Sequence, residues 1–379
     1  MAISSFLTWS QSLQKRQTKI SLLLPCTQSG WSMLRQITLI FILAGTLGAS
    51  LLAQDPVFTQ FNATPLAINP AFAGTTLAPR FAASYRNEWP SHSDAGVTAY
   101  ATYAASYDQF FTPFNSGFGL MVMTDDAGGG LLKTSMVNAA YAYQVSVSND
   151  FGMKLGIQAG FRQLRLDWDR LIFLDQLDPL TGPLDPSGNP NPTNEIPPES
   201  LTKTHFDVGA GLLVYTPAFY GGIALHHLTT PSEGFIRSGT GLEEGLPLRL
   251  TLQAGAELTL LPGNNRIPST FIAPAILFVK QGDQGQVNVG THLSRGPLAV
   301  GGFYRHAFTN SDALIGTVSF QYEVFKIGYS YDFTVASGLE VPDSGGSHEI
   351  SLLINLDNSE TQRRKRYAER YNDCFKIFR

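Results

Sequence analysis

The chain reads as all-β, a transmembrane antiparallel β-barrel of about 14 strands with a periplasmic N-terminal segment and a C-terminal tail. Three observations predict it. Charged residues make up 15% of the 379 residues, whereas a soluble domain carries about 25%. Stretches of two-residue hydrophobic alternation recur from Arg80 to Leu356. Beyond Ala53 no apolar run reaches about 18 residues, so a membrane crossing must be made by strands closed into a barrel.

Targeting comes first along the chain. Residues 1–32 fit no part of a secretory signal and read as a start taken too early, with Met33 as the initiator. From Met33, Arg35 supplies a short positive region and Ile37 to Leu47 an apolar core, and cleavage is expected after Ala53. Residues 33–53 are thus a signal peptide that directs export to the outer membrane. Cys26 follows Pro25, which does not fit a lipoprotein signal. The mature chain keeps only Cys374 and has no disulfide framework.

Residues 54–79 are too polar and too broken by proline for a strand or helix. Pro65 and Pro70 preclude ladder pairing along their length, so the segment reads as a periplasmic docking surface or a plug. Residues 80–356 are the barrel. In the stretch from Phe151, the positions Phe151, Met153, Leu155, Ile157, Ala159 and Phe161 form an oily face, set against Gly152, Lys154, Gly156, Gln158, Gly160 and Arg162. The opposing faces of these segments hold glycine, serine, threonine, asparagine and glutamine. A soluble sandwich would show lysine and glutamate there, so a confined lumen fits better.

The expected strands are Arg80 to Glu88, Ala95 to Asp108, Gly117 to Thr124, Leu131 to Ser146, Phe151 to Leu166, His205 to Tyr215 and Phe219 to His227. The others are Pro247 to Leu260, Ser269 to Lys280, Gln286 to Leu293, Pro297 to His306, Ala313 to Glu323, Val324 to Thr334 and His348 to Leu356. Connections at Asn149, Thr216 to Ala218, Ser294 to Gly296 and Glu323 to Val324 are tight, while Asp167 to Thr204, Leu228 to Leu246 and Val335 to Ser347 are long. Short periplasmic turns and long outer loops are what such barrels show; Gln109 to Ser116 is the exception. The loop from Asp167 to Thr204, rich in proline, glycine and asparagine, reads as a binding or gating loop, or else as a surface tip. Residues 357–379 form a basic tail, with Arg363, Arg364, Lys365 and Arg366 in one run, as a solvated end or a dock for a periplasmic partner.

Little chemistry is legible. His226 and His227 are neighbours on a strand, so their side chains should point to opposite faces and cannot share a metal. Asp125 and Asp126 lack EF-hand spacing and read as turn residues. No Gly-x-Ser-x-Gly elbow, P-loop or zinc spacing occurs, so no enzyme, cofactor or metal is expected. The net charge of -4 gives no reason to expect nucleic acid as a partner. Trp89, Phe110 and Phe111 suit an interfacial girdle against outer-membrane lipids. A passive porin or hydrophobic-solute channel is compatible with the polar lumen.

Four motifs, "DPVFTQFNATPLAINPAFAG" at Asp55 to Gly74, "YRNEWP" at Tyr85 to Pro90, "YSYDF" at Tyr329 to Phe333 and "GGSHEISL" at Gly345 to Leu352, resemble the PorP/SprF family. The ending "DCFKIF" is similar to a cysteine-containing tail of that family, with Phe375 where proline is common. The resemblance implies an outer-membrane component of type IX secretion and gliding machinery that meets a periplasmic ring and other secretion components and supports surface display of large adhesin-like cargo. On that resemblance the expected partner-binding residues are Asp55, Pro56, Phe58, Gln60, Phe61, Pro65, Asn69, Pro70 and Gly74, then Tyr85, Arg86 and Trp89, then the basic run Arg363, Arg364, Lys365 and Arg366.

Overall fold

The computed structural model describes residues 55–92, 99–148, 150–235, 245–263, 269–308, 313–335, 345–356 and 373–378. The signal peptide, the early start and the basic run at 363–366 lie outside them. Within them the chain forms one antiparallel sheet of fifteen strands whose two ends pair with each other. The strands are β1 (Arg80–Glu88), β2 (Tyr100–Phe111), β3 (Ser116–Ala127), β4 (Leu132–Ser146), β5 (Gly152–Leu166), β6 (Thr202–Tyr215), β7 (Phe219–His226) and β8 (Arg249–Ala256). They continue as β9 (Leu258–Leu261), β10 (Thr270–Gln281), β11 (Gln284–Arg295), β12 (Leu298–Ala307), β13 (Ala313–Tyr322), β14 (Phe325–Thr334) and β15 (Ser347–Asn355).

Strands β8 and β9 both pair with β10 and share one line of the wall, so the closed barrel has fourteen staves. The single strand expected over 247–260 breaks at Glu257, whose amide donates to the Ala218 carbonyl instead of a ladder partner. Closure runs through β1, which pairs with β2 on one side and with β15 on the other, Arg80 opposite Asn355 and Glu88 opposite Ser347. Among the described residues no helix is long and apolar enough to cross a membrane, which says nothing of crossing by strands.

The wall is inside out relative to a soluble protein. Along β5, Leu155, Ile157 and Phe161 are exposed on the outer face while Lys154, Gln158 and Arg162 are buried in the lumen. The alternation read from sequence therefore separates lipid from lumen. The start of β1, the end of β15 and residues 373–378 lie at one end, the termini end, with the connections 112–115, 216–218, 296–297 and 323–324, and 167–201 lies at the other, the loop end. The exception at Gln109 to Ser116 disappears, because β2 runs on to Phe111 and a 3-10 turn over Thr112–Phe114 makes the reversal.

Unheated protein should migrate as a compact band on gels and shift on boiling. Protease added to intact cells should cut between Asp167 and Thr204; cleavage there only after permeabilisation would invert the assigned topology.

Candidate functional site

The lumen is filled by residues 55–76, which descend from the loop end to the termini end. Asp55, Phe58, Thr59, Gln60, Phe61, Leu66, Asn69 and Phe72 are all buried. Two prolines shape the path. Pro65 opens a one-turn helix, Pro65–Ile68, and Pro70 opens a 3-10 turn, Pro70–Phe72, in which the Asn69 side chain accepts a bond from the Ala71 amide. Proline suits a first helical position, where its missing N–H has no partner to lose. Residues 55–76 thus occupy the barrel interior.

At the loop end Asp55 holds the head of the plug. Its carboxylate lies 2.8 Å from Arg162 Nη1, 2.6 Å from His227 Nε2 and 3.3 Å from Arg249 Nη1, and its amide donates to Gln281 Oε1. Burial acts to raise the Asp55 carboxyl, but the charges of His227, Arg162 and Arg249 outweigh it and hold it well below the usual carboxylate range. Burial acts to lower His227, and the carboxylates of Asp55 and Asp207 overcome that and raise it to about 9.

The middle anchor joins residues that are remote in sequence. The Glu349 carboxylate accepts the amides of Thr59 at 2.7 Å and Gln60 at 2.8 Å. Arg86 reaches Asp332 at 2.9 Å and Glu349 at 3.4 Å, and Arg305 reaches Asp332 at 2.9 Å. The Thr59 hydroxyl sits between these charges, donating to Asp332 and accepting from Arg86 and Arg305. Thr59 with Gln60, Arg86, Asp332 and Glu349 come from the four internal motifs named above. What the motifs share is one buried network that binds the plug to the wall.

Lower down, Asn69 donates to the Leu212 and Ile223 carbonyls. His226 Nε2 lies 3.0 Å from the Ile68 carbonyl. Lys154 Nζ donates to the carbonyls of Ala73 at 2.6 Å and Gly74 at 2.8 Å, and the Gly74 amide donates to Asp108. A Cβ on Gly117 would fall inside the Ala73 carbonyl, and one on Gly156 would strike the Ala71 backbone. The bare inner face is thus where the plug backbone lies against the wall. Phe58 packs with Ala104, Met123 and Met136, and Leu66 with Met121, Ala140 and Ala142.

The C-terminal segment Asp373–Phe378 closes the same end. Phe375 and Phe378 pack on Phe72 and Tyr220, the Phe72 and Phe378 rings stacking at 5.0 Å. Cys374 is fully buried in this cluster. Sequence reading treated residues 357–379 as one basic tail and missed this apolar end, although its hydrophobic residues after a charged run were a visible signal.

Of the residues expected to meet partners, Asp55, Phe58, Gln60, Phe61, Pro65, Asn69, Pro70 and Gly74 are buried in the lumen and Pro56 is half-buried there. Arg86 also points inward. Their contacts in this structure are with the wall, so a partner meets them only once the segment leaves it. Tyr85 lies on the outer face against Tyr103, and Trp89, at φ 50°, packs edge-on against Tyr100. Three expectations are corrected. Phe110 faces the lumen with Lys154 Nζ 5.5 Å from its ring, and is not in a lipid girdle. His226 and His227 are both buried, because β7 ends at His226 and a φ of 61° at His227 swings the second ring inward. Asp125 and Asp126 end β3 instead of forming the turn, which is made by Gly128, Gly129 and Gly130 at positive φ.

A family model described as type IX secretion system membrane protein PorP/SprF matches residues 50–354. No curated protein matches the chain. Among solved structures, the toluene transporter TbuX of Ralstonia pickettii is similar at 12% identity and a TM-score of 0.40, over 77% of this chain and 92% of that one. The toluene transporter TodX of P. putida aligns at 12% identity and a TM-score of 0.40, over 76% and 92% of the two chains. BamA from Haemophilus ducreyi lacking POTRA domains 1-3 aligns at 10% identity and a TM-score of 0.34, over 73% and 70%.

Two outcomes test the anchors. Arg86→Met leaves two buried carboxylates short of their cation and should destabilise the barrel by about 3–5 kcal/mol, read as a lower urea midpoint of the compact gel band, with R86M/E349Q recovering part of the loss. His227 is raised in the folded state, so its contribution is complete below about pH 6.5 and is lost as pH rises through about 9. The stability gap between the native chain and H227N should therefore narrow over that window. Asp55, being lowered, contributes above about pH 3.9 and loses its share only as pH falls below that.

Proposed function

Because the chain belongs to the type IX secretion system membrane protein PorP/SprF family, we propose that it acts as an outer-membrane barrel of that machinery, supporting secretion or surface display of adhesin-like cargo through protein contacts and not by conducting solutes. Membership in this family implies interaction with other secretion components, and the lipid-facing wall agrees with an outer-membrane site. The observation that supports a contact role is the filled lumen. A pore needs a continuous aqueous path, whereas here the plug makes ion pairs or hydrogen bonds at its head, middle and foot. The polar inner face that suits a channel in sequence is largely occupied by these contacts.

Partners on the periplasmic side would meet the termini end; the basic run at 363–366 lies outside the described residues. Partners outside would meet the ordered loop over 167–201. There Asp178 and Asp185 each accept two backbone amides, while Leu174, Leu180 and Ile196 stand almost fully exposed. Ordered apolar side chains on a loop of this kind suit protein contact.

Deleting the gene should remove at least one type IX substrate from the cell surface while the membrane stays intact; normal display of every substrate would sink the reading. In planar bilayers the purified full chain should show no steady open conductance, and a steady pore would favour the passive channel.

A further inference from the structure

The rim at the termini end is built from the lower ends of many staves. Arg80 comes from β1, Tyr215 from β6, Tyr220 from β7, Phe271 from β10 and Lys326 from β14, with Glu257 at the break in the β8/β9 stave. Across this rim lies Asp373–Phe378, and it belongs to no strand of the sheet. Arg80 Nη1 donates to the Phe378 carbonyl at 3.0 Å, and Lys326 Nζ to the Ile377 carbonyl at 2.7 Å. Asn62 of the plug donates to the same Ile377 carbonyl at 3.3 Å. Phe375 packs against Tyr215 and Tyr220, and Phe378 against Tyr220 and Phe72. Lys376, between the two apolar pairs, extends to Glu257 at 2.5 Å and lies over the Phe271 ring. Donors aimed at main-chain carbonyls, with separate pockets for side chains, are how a groove recognises a peptide.

We propose that this mouth is a peptide-binding site for a short segment with two aromatic side chains bracketing a lysine, and that residues 373–378 are its resident ligand, docked in cis and separable from the barrel. Residues 357–372 alone link the hexapeptide to Leu356 at the end of the wall. Attachment over so short a span raises the local concentration to the order of millimolar, so a site of modest intrinsic affinity stays filled. Because the hexapeptide stacks on Phe72 below the plug, its departure uncovers the plug's foot together with Arg80 and Lys326. The inference stands on the barrel geometry and not on the secretion reading, so either can fail alone.

The test uses a variant ending at Asn372 and a fluorescent peptide of residues 373–378 carrying C374S. The truncated barrel should bind the peptide saturably and at least about tenfold more tightly than the full chain, whose own tail competes. Adding Glu257→Gln to the truncated chain should weaken binding about threefold. A folded truncated barrel that does not bind, or binds no better than the full chain, overturns the proposal. Should the truncation fail to fold, the full chain supplies the second measurement through its buried Cys374. Phe378→Ala should speed labelling of that thiol by a soluble maleimide at least about tenfold while the band stays heat-modifiable. An unchanged labelling rate in a folded barrel overturns it as well.

Discussion

The Glu349 carboxylate, gripped by the backbone amides of Thr59 and Gln60, is the contact on which the interior depends. A plug of irregular backbone inside a closed wall must find partners for every N–H and C=O it buries, because orphaned groups there carry a large desolvation penalty. Ladder hydrogen bonds are not available, since each stave already has two neighbours. Side chains of the wall must therefore do what strands do elsewhere. Glu349 supplies two acceptor oxygens where two successive amides point outward, and Arg86 neutralises the charge that this acceptor brings into the lumen. Asp332 and Arg305 extend the same balance to the Thr59 hydroxyl. A buried pair of this kind contributes modest net stability but a large penalty when broken, which favours a single seating of the plug over several.

The barrel was largely legible because its cause is local. The alternation in β5 and the turns at 216–218 and 323–324 each depend on a few consecutive residues, and β1 is observed over the span Arg80 to Glu88 that alternation and turn signals assign. The anchor was not legible in the same way. Residues 60, 86, 332 and 349 meet only because closure brings β1, β14 and β15 side by side, and period along a strand carries no information about which distant strands share a height. Resemblance did single out the motifs that contain them, yet it assigned their side chains to partners outside. In this structure Arg86 and most of the first segment are buried against the wall. His227 and Phe110 went astray for a smaller reason: one positive φ, or one residue at a strand's end, redirects a ring and leaves no trace in hydrophobic period.

The small residues of the inner face show a correct expectation reached from an incomplete cause. Glycine and serine there suggest a confined lumen, and the lumen is confined, but by protein. Gly117 and Gly156 lie where the plug's backbone passes closest, so their missing side chains are a mould of Ala71 to Gly74. The six-residue tail obeys the same logic at the mouth, where aromatic rings from β6, β7 and the plug leave a space that Phe375 and Phe378 fill.

The plug's grip is uneven along its length, and this gives it a direction. At the loop end it is held by ion pairs through Asp55, and in the middle by the Glu349 and Asp332 network. At the foot, Lys154 and Asp108 hold carbonyls and an amide, and the side chains there are chiefly apolar. Opening the foot leaves one buried ammonium, Lys154, without its carbonyl partners, whereas the upper anchors must break several buried ion pairs. The foot is also the end covered by the C-terminal hexapeptide, which stacks on Phe72. The proposed release of the hexapeptide would therefore uncover the end of the plug held by Lys154 and Asp108, while the head and middle stay locked by buried ion pairs.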